Sequence, residues 1–127
     1  MIVEGERVAS FVADRTGTEF QPPFTTLGFE KDGEVVAGFI FTSWTGPDVT
    51  LTMAVAGRLP RAFLRRVADY VWGELGCLRA SVETEQEHVA NLALRMGGKV
   101  EGVKRNFYGP GRDAVCFGIL KEEWFMR

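Results

Sequence analysis

The sequence predicts a single α/β domain built on a central mixed, mostly antiparallel sheet with helices on both faces. Three patterns carry this prediction. In residues 49–56 a larger apolar side chain (Val, Leu or Met) alternates strictly with a threonine or alanine, which is typical of a strand. A stripe of apolar residues at helical spacing follows between Phe63 and Leu75. Asp32-Gly33 and Gly109-Pro110-Gly111 each separate two strand-like runs and therefore indicate hairpins.

The first half of the chain is predicted to form one helix and several strands. Val8, Phe11 and Val12 share one helical face. The run that follows the Asp32-Gly33 turn is almost wholly apolar, as expected of a central strand covered on both faces. The predicted elements are a short strand at 1–3, a helix at 5–16, a loop at 18–24 and strands at 25–30, 35–44 and 49–56.

The second half is predicted to alternate between helix and strand before it closes with a hairpin. Pro60 suits the first position of a helix, where its missing N–H has no intrahelical partner. Thr84 and Glu87 have the spacing of a capping box. The strand–helix–strand unit over 49–83 implies a right-handed parallel crossover. The predicted elements are a helix from Pro60 to Gly76, a strand at 77–83, a helix ended by Gly97-Gly98, and strands at 99–108 and 114–120.

Composition and charge exclude some classes of partner. The chain has 127 residues, one domain's length, with 46% hydrophobic residues and a net charge of -2. That charge gives no basic field, so we expect no nucleic-acid partner. No apolar run approaches the ~20 residues needed to span a bilayer, so no membrane partner is expected. The charged first residues do not resemble a signal peptide, and we expect a cytoplasmic protein.

The rare residues exclude several common kinds of zinc site. His88 is the single histidine, so zinc sites with two histidines are excluded, and we expect no metal. Cys77 and Cys116 form no close pair and lie in apolar runs. Both are therefore predicted to be buried free thiols.

Three stretches together resemble the GNAT superfamily of acyl-CoA N-acyltransferases, and the resemblance covers nearly the whole chain. RAFLRRV with LGCLRA is similar to the family's cofactor helix and the next strand. NLALRMGGKVEGVKR is similar to its last helix and the passage that follows it. GRDAVCFGILKEEW is similar to the closing strand of a compact subgroup, often encoded by phages or prophages, in which case the host cytoplasm is the expected location. The stretches are residues 61–67 with 75–80, 91–105 and 111–124.

The resemblance implies a GNAT-like fold with a splayed pair of parallel strands, and acetyl-CoA or CoA as cosubstrate. The cofactor's pantetheine arm would pair with the open strand edge, and its pyrophosphate would lie on N–H groups at the start of the helix. Arg58 and Arg61 would add charge beside the phosphates. The family's usual asparagine before the last helix aligns with Gln86. The cofactor-binding residues implied are Val55, Ala56, Gly57, Arg58, Arg61, Ala62 and Gln86.

Three residues are candidates for moving protons in such a transfer. The strand at 49–56 carries no carboxylate, so Asp48 just before it and Glu83 on the neighbouring parallel strand are the nearest bases. Tyr108 is a candidate acid, because the family's tyrosine aligns with Ala93. Each also has an ordinary structural explanation: Asp48 as a turn residue, Glu83 as a solvated strand end and Tyr108 as a packing aromatic.

Other conspicuous residues have both functional and structural interpretations. His88 is either a base or a surface residue of a helix's first turn. The arginines at 61, 65 and 66 are either ligands for phosphate or the solvated face of an amphipathic helix. Trp44 and Trp124 are candidates for a substrate or partner surface, although core burial is favoured for Trp44.

Two functions therefore remain open. The first is an N-acetyltransferase that moves an acetyl group from acetyl-CoA to the amine of a small molecule or protein by direct attack. The second is a catalytically silent binding or assembly module of the same fold, possible for a phage-encoded chain. The second is favoured by Arg58 and Pro60, which replace glycines in the family's phosphate loop. An exposed last strand would allow two copies to pair as a homodimer.

Overall fold

A computed structural model of the chain describes residues 1–126. The helices and strands are β1 (Ile2–Val3), α1 (Glu6–Thr16), β2 (Thr25–Lys31), β3 (Glu34–Thr42), β4 (Asp48–Val55), α2 (Arg61–Ala68), β5 (Arg79–Thr84), α3 (Glu87–Arg95), β6 (Lys99–Gly109) and β7 (Arg112–Leu120). A π-helical segment, Asp69–Glu74, continues α2, and a 3₁₀ turn, Lys121–Glu123, follows β7. The predicted order of elements is confirmed.

The seven strands form one mixed sheet in the order β1-β2-β3-β4-β5-β7-β6. Only β4 and β5 run parallel, joined by the crossover through α2, and every other neighbouring pair is antiparallel. The predicted mixed, mostly antiparallel sheet is therefore confirmed. The expectation of an exposed last strand is wrong, because β7 lies between β5 and β6; β6 forms that edge of the sheet, and a homodimer stays a prediction.

The helix α1 covers one face of the sheet. Its buried side chains Val8 and Val12 pack on Ile40 of β3 and Ala54 of β4. Glycine in β3 allows this close approach, because a Cβ at Gly38 would lie 2.7 Å from a methyl carbon of Val12. The face beyond the end of α1 is left open, and it forms part of the site described below.

The helices α2 and α3 cover the opposite face and enclose the larger core. Phe63 of α2 is fully buried and meets Phe39 of β3 edge to face, with ring centroids 5.3 Å apart. Leu92 of α3 and Met96, the residue that follows the helix, enter the same core. The prediction of helices on both faces is confirmed.

The exposure of two tryptophans, Trp44 and Trp124, differs from what the sequence suggested: burial was favoured for Trp44, and Trp124 was a candidate for the surface. Trp44 is 58% exposed because the loop after β3 turns it away from the sheet. Trp124 is buried against Trp72, with ring centroids 6.1 Å apart. The chain after β7 folds back onto the core, and this return was not predicted.

Two local predictions also need correction. The capping box is wrong: α3 begins at Glu87, Gln86 is its N-cap residue, and no side chain caps it. The Thr84 hydroxyl instead accepts the Gln86 backbone N–H at 3.0 Å and forms a turn before the helix. Both cysteines are free, and Cys77 is buried, whereas Cys116 is half-buried because it faces the open side of the sheet.

None of the helices within residues 1–126 has both the length and the apolar composition that crossing a membrane requires.

Candidate functional site

The parallel strands β4 and β5 separate after four residue pairs. Their pairing runs from Asp48 with Arg79 to Leu51 with Val82. Beyond it, β4 continues to Val55 with only β3 as a partner, and β5 continues to Thr84 with only β7. The backbone of residues 52–55 therefore has one free hydrogen-bonding edge. The predicted splayed pair is confirmed.

One cleft opens from this free edge towards α2 and α3. We call it the α2–α3 cleft; its volume is about 620 Å³. Its walls are mostly apolar, and three basic side chains, Arg58, Arg95 and His88, stand at them. The lining residues are Val55, Gly57, Arg58, Leu59, Leu64, His88, Leu92, Arg95, Met96 and Phe125.

The residues predicted to bind the cofactor divide between two places. Val55, Gly57 and Arg58 line the α2–α3 cleft. Ala56 and the first two residues of α2, Arg61 and Ala62, are exposed beside it. Gln86 lies elsewhere: its side-chain amide donates to the Arg15 carbonyl at 3.1 Å, on the α1 side of the sheet. The structure thus does not bring Gln86 together with the other six.

A second cavity lies on the other side of the separated strands. We call it the α1-side cavity; its volume is about 410 Å³. Its floor is the sheet, and its walls are the loop after α1 and the β6–β7 hairpin. The lining residues are Thr16, Thr18, Glu19, Phe20, Gln21, Thr42, Ser43, Thr50, Thr52, Met53, Glu83, Thr84, Glu85, Gln86, Phe107 and Tyr108.

Two of the three proton-transfer candidates, Glu83 and Tyr108, meet in the α1-side cavity. The Tyr108 hydroxyl donates to the backbone carbonyl of Glu83 at 3.1 Å. Burial raises the pKa of Tyr108 to about 12, and the charges of Glu83 and Glu85 add to the effect. The phenol therefore holds its proton at neutral pH.

The hairpin supplies cations to the cavity's carboxylates. Lys104 Nζ lies 2.9 Å from Glu83 Oε2, and a guanidinium nitrogen of Arg112 lies 2.6 Å from Glu85 Oε2. The hydrogen bonds from Arg112 lower the pKa of Glu85, and Glu83 raises the pKa of Lys104. Both pairs are partly exposed, so an incoming cation can compete for these carboxylates.

The third candidate, Asp48, lines neither cavity. It lies at the paired end of β4, where the Ser81 hydroxyl donates to its carboxylate at 2.8 Å. Arg79 Nε lies 3.4 Å from the same oxygen, and Arg79 also pairs with Glu101. Asp48 therefore belongs to an ion-paired network that joins β4, β5 and β6, away from the separated edge.

Several residues that line the cavities were not predicted from the sequence. Arg95 and Phe125 reach the α2–α3 cleft because the end of α3 and the returning tail meet there, where the Phe125 N–H donates to the Met96 carbonyl at 3.2 Å. Glu19 and Glu85 reach the other cavity from loops. Strand alternation alone could have indicated Thr50 and Thr52, which share one face of β4. Within residues 1–126, His, Cys, Asp and Glu form no cluster able to hold a metal ion.

Comparison with known proteins identifies the fold. No protein-family model matches the chain, and no curated protein matches it in sequence. A mutant of the spermidine N-acetyltransferase SpeG of Vibrio cholerae matches in structure with a TM-score of 0.72 at 11% identity, over 98% of this chain and 97% of that one. The ribosomal-protein-S18-alanine N-acetyltransferase of Escherichia coli matches with a TM-score of 0.64 at 20% identity, over 94% and 92%.

A third solved structure, of a probable acetyltransferase, has a TM-score of 0.68 at 20% identity. The match covers 81% of this chain but only 64% of the length of that protein. The chain thus has the GNAT fold, and the predicted resemblance is confirmed at the level of fold.

Proposed function

We propose that the chain is an N-acetyltransferase that uses acetyl-CoA to acetylate an amine by direct attack. The observation that carries the proposal is the separation of β4 and β5, with a cleft on either side of it. A transfer between two bound molecules needs such an opening, because donor and acceptor must meet at one point from opposite sides.

The α2–α3 cleft fits a CoA thioester in shape and charge. The free edge at residues 52–55 offers backbone groups to an extended amide-bearing arm. The apolar walls suit the arm's methylene groups, and Arg58, Arg95 and His88 suit the phosphates. Arg95, a cation from α3, compensates for Pro60, which removes one N–H from the loop before α2.

When bound, acetyl-CoA would supply an activated acetyl carbonyl. Backbone N–H groups at the free edge of β4 would polarise that carbonyl. Glu83 is the carboxylate that we assign as the base for the incoming ammonium, directly or through water, because its strand borders the opening. The hydroxyl of Tyr108 is the proton donor that we assign to the departing sulfur.

Binding of CoA tests the donor side of the proposal. At 100 times the Kd, CoA should raise the free energy of unfolding by about 2.7 kcal/mol, measured as a thermal shift. The variant R58E/R95E should lose the shift. The matched control R65E/R105E reverses two exposed arginines outside the cleft and should keep it. No shift in the native chain at millimolar CoA would contradict the proposal.

A silent binding module is the second candidate. It is favoured by the buried Ala93, which stands where the family's tyrosine aligns and offers no hydroxyl. This candidate predicts a CoA shift without release of CoA thiol in the presence of any amine. Turnover of an amine, lost in Y108F or E83Q, would exclude it.

A further inference from the structure

We infer that the α1-side cavity selects a hydroxylated amine carrying a single positive charge, an acceptor of the amino-sugar class. The inference rests on the proposed acetyl transfer and deepens it by naming the acceptor. It follows from the hydroxyl groups of the cavity floor, the charge balance of its walls and its aromatic rim.

The floor of the cavity is a row of hydroxyls on the sheet. Thr42 of β3 lies directly opposite Thr50 of β4, and Thr52 is the next residue of β4 on the same face. Ser43 and Thr18 add two hydroxyls at the edges. None of these five side chains has a hydrogen-bond partner among residues 1–126, so each is free for a ligand.

The same sheet face changes character where α1 covers it. There β3 and β4 present Ile40 and Ala54, which pack on the helix. A neutral hydroxyl can both donate and accept, so a row of them matches the alcohol groups of a sugar better than a hydrocarbon chain.

The charges of the cavity match one ammonium group. Three carboxylates line it: Glu19, Glu83 and Glu85. Lys104 pairs with Glu83, and Arg112 pairs with Glu85, whereas Glu19 has no ion-pair partner in the described part of the chain. One negative charge therefore remains uncompensated. A linear polyamine with three ammonium groups would need more uncompensated carboxylates than this one.

The rim offers aromatic surface for the apolar face of a sugar ring. Phe107 is 49% exposed, and its ring meets that of Tyr108 edge to face at 4.9 Å. Phe20 lines the opposite wall from the loop after α1. A ring acceptor between these walls would place its amine towards Glu83 and its hydroxyls on the floor.

The reaction on such an acceptor is balanced. The amine nitrogen forms a bond to the acetyl carbon while the carbon–sulfur bond breaks. The ammonium group loses two protons: one passes through Glu83 to solvent, and the other ends on sulfur. The products are an acetamido sugar and CoA thiol.

The test compares acceptors that differ mainly in their hydroxyls. Glucosamine, cyclohexylamine, spermidine and an alanine-initiated peptide are each offered with acetyl-CoA to the full chain, and CoA thiol release is followed. We expect kcat/KM for glucosamine to exceed that for cyclohexylamine at least tenfold, about the effect of two hydrogen bonds. Equal or better turnover of cyclohexylamine, spermidine or the peptide overturns the inference.

Substitutions locate the effect. T42V/T50V keeps side-chain shape and should lower the ratio of kcat/KM for glucosamine to kcat/KM for cyclohexylamine about tenfold. T45V makes the same change in an exposed loop outside the cavity and should leave the preference intact. An unchanged preference in T42V/T50V overturns the assigned floor.

Binding separates this inference from the proposed transfer. Titration of glucosamine and of cyclohexylamine, followed by calorimetry in the absence of acetyl-CoA, needs no chemistry. Tighter binding of glucosamine, weakened in T42V/T50V, supports the acceptor class even if CoA causes no thermal shift. If CoA binds and is turned over but glucosamine binds no better than cyclohexylamine, the transfer stands and the acceptor class fails.

Discussion

Replacement of Gly97 by alanine should damage both the fold and the α2–α3 cleft. Gly97 ends α3 with a φ of +106°, which is unfavourable for any residue with a Cβ. An added methyl carbon would overlap the carbonyl oxygen of Glu123 and lie 2.8 Å from its carbonyl carbon. Lys99 holds the Glu123 side chain at 2.6 Å, and buried Trp124 follows in sequence, so the tail cannot move without loss of packing.

The cost of this substitution has two parts. Backbone strain contributes about 1–3 kcal/mol. Overpacking against a fixed carbonyl contributes about 1–3 kcal/mol. The free energy of unfolding should fall by about 2–6 kcal/mol, and at about 4 °C per kcal/mol the Tm should fall by about 8–24 °C. Because Phe125 leaves the cleft when the tail is displaced, the CoA shift should fall as well.

Thermal unfolding with and without CoA measures both effects. G73A is the matched control, since the added carbon would meet no heavy atom within 4 Å beyond its chain neighbours and its own helical backbone, and Gly73 lies in the helical segment after α2. It should stabilise the chain by about 0.5–1 kcal/mol. A loss of less than about 4 °C in G97A would refute the reasoning.

Two further predictions concern pH. Y108F should cost about 0.5–1.5 kcal/mol at neutral pH, because the hydrogen bond to the Glu83 carbonyl is lost. The native chain should lose stability as pH rises from 10 towards 12, because Tyr108 ionises more easily in the unfolded chain than in the fold, where its pKa is raised. The free energy of unfolding of Y108F, measured by chemical unfolding, should lack this contribution to the loss. E85Q should destabilise the chain slightly at neutral pH and match the native chain's stability in acid. The reason is that the pKa of Glu85 is lower in the folded than in the unfolded chain. The ionised carboxylate therefore stabilises the fold at pH values above the unfolded-state pKa, and this contribution is lost as pH falls through the folded-state pKa. A constant difference across the acid range would contradict the Glu85–Arg112 assignment.

Much of the fold follows from the sequence because local signals and packing agree. The alternation of residues 49–56 and the stripe from Phe63 to Leu75 each reflect one buried face, and the structure buries those faces. Trp44 and Trp124 were less predictable, since neither belongs to a periodic element. Their burial depends on how a loop and a returning tail meet the sheet.

The candidate site was predictable in part. Glu83 and Tyr108 share a cavity because antiparallel β5–β7 and β6–β7 pairing brings their strands together, and topology allowed that expectation. Gln86 lines the same α1-side cavity rather than the α2–α3 cleft, and Asp48 lines neither, because their side chains meet local partners, the Arg15 carbonyl and Ser81. Such partners depend on side-chain direction, which chain order does not define. Arg95 illustrates the same limit, since its cleft is formed by segments distant in sequence.

The separation of β4 and β5 also bears on how such a chain can diversify. No residue that lines the α2–α3 cleft also lines the α1-side cavity. Substitutions on the two sides that share no contacts should have nearly additive effects. Under the proposed acetyl transfer, a duplicated copy would change its acceptor through the hairpin and the loop after α1 while the donor side is inherited unchanged. Swapping those two segments between homologous chains is the corresponding route for engineering.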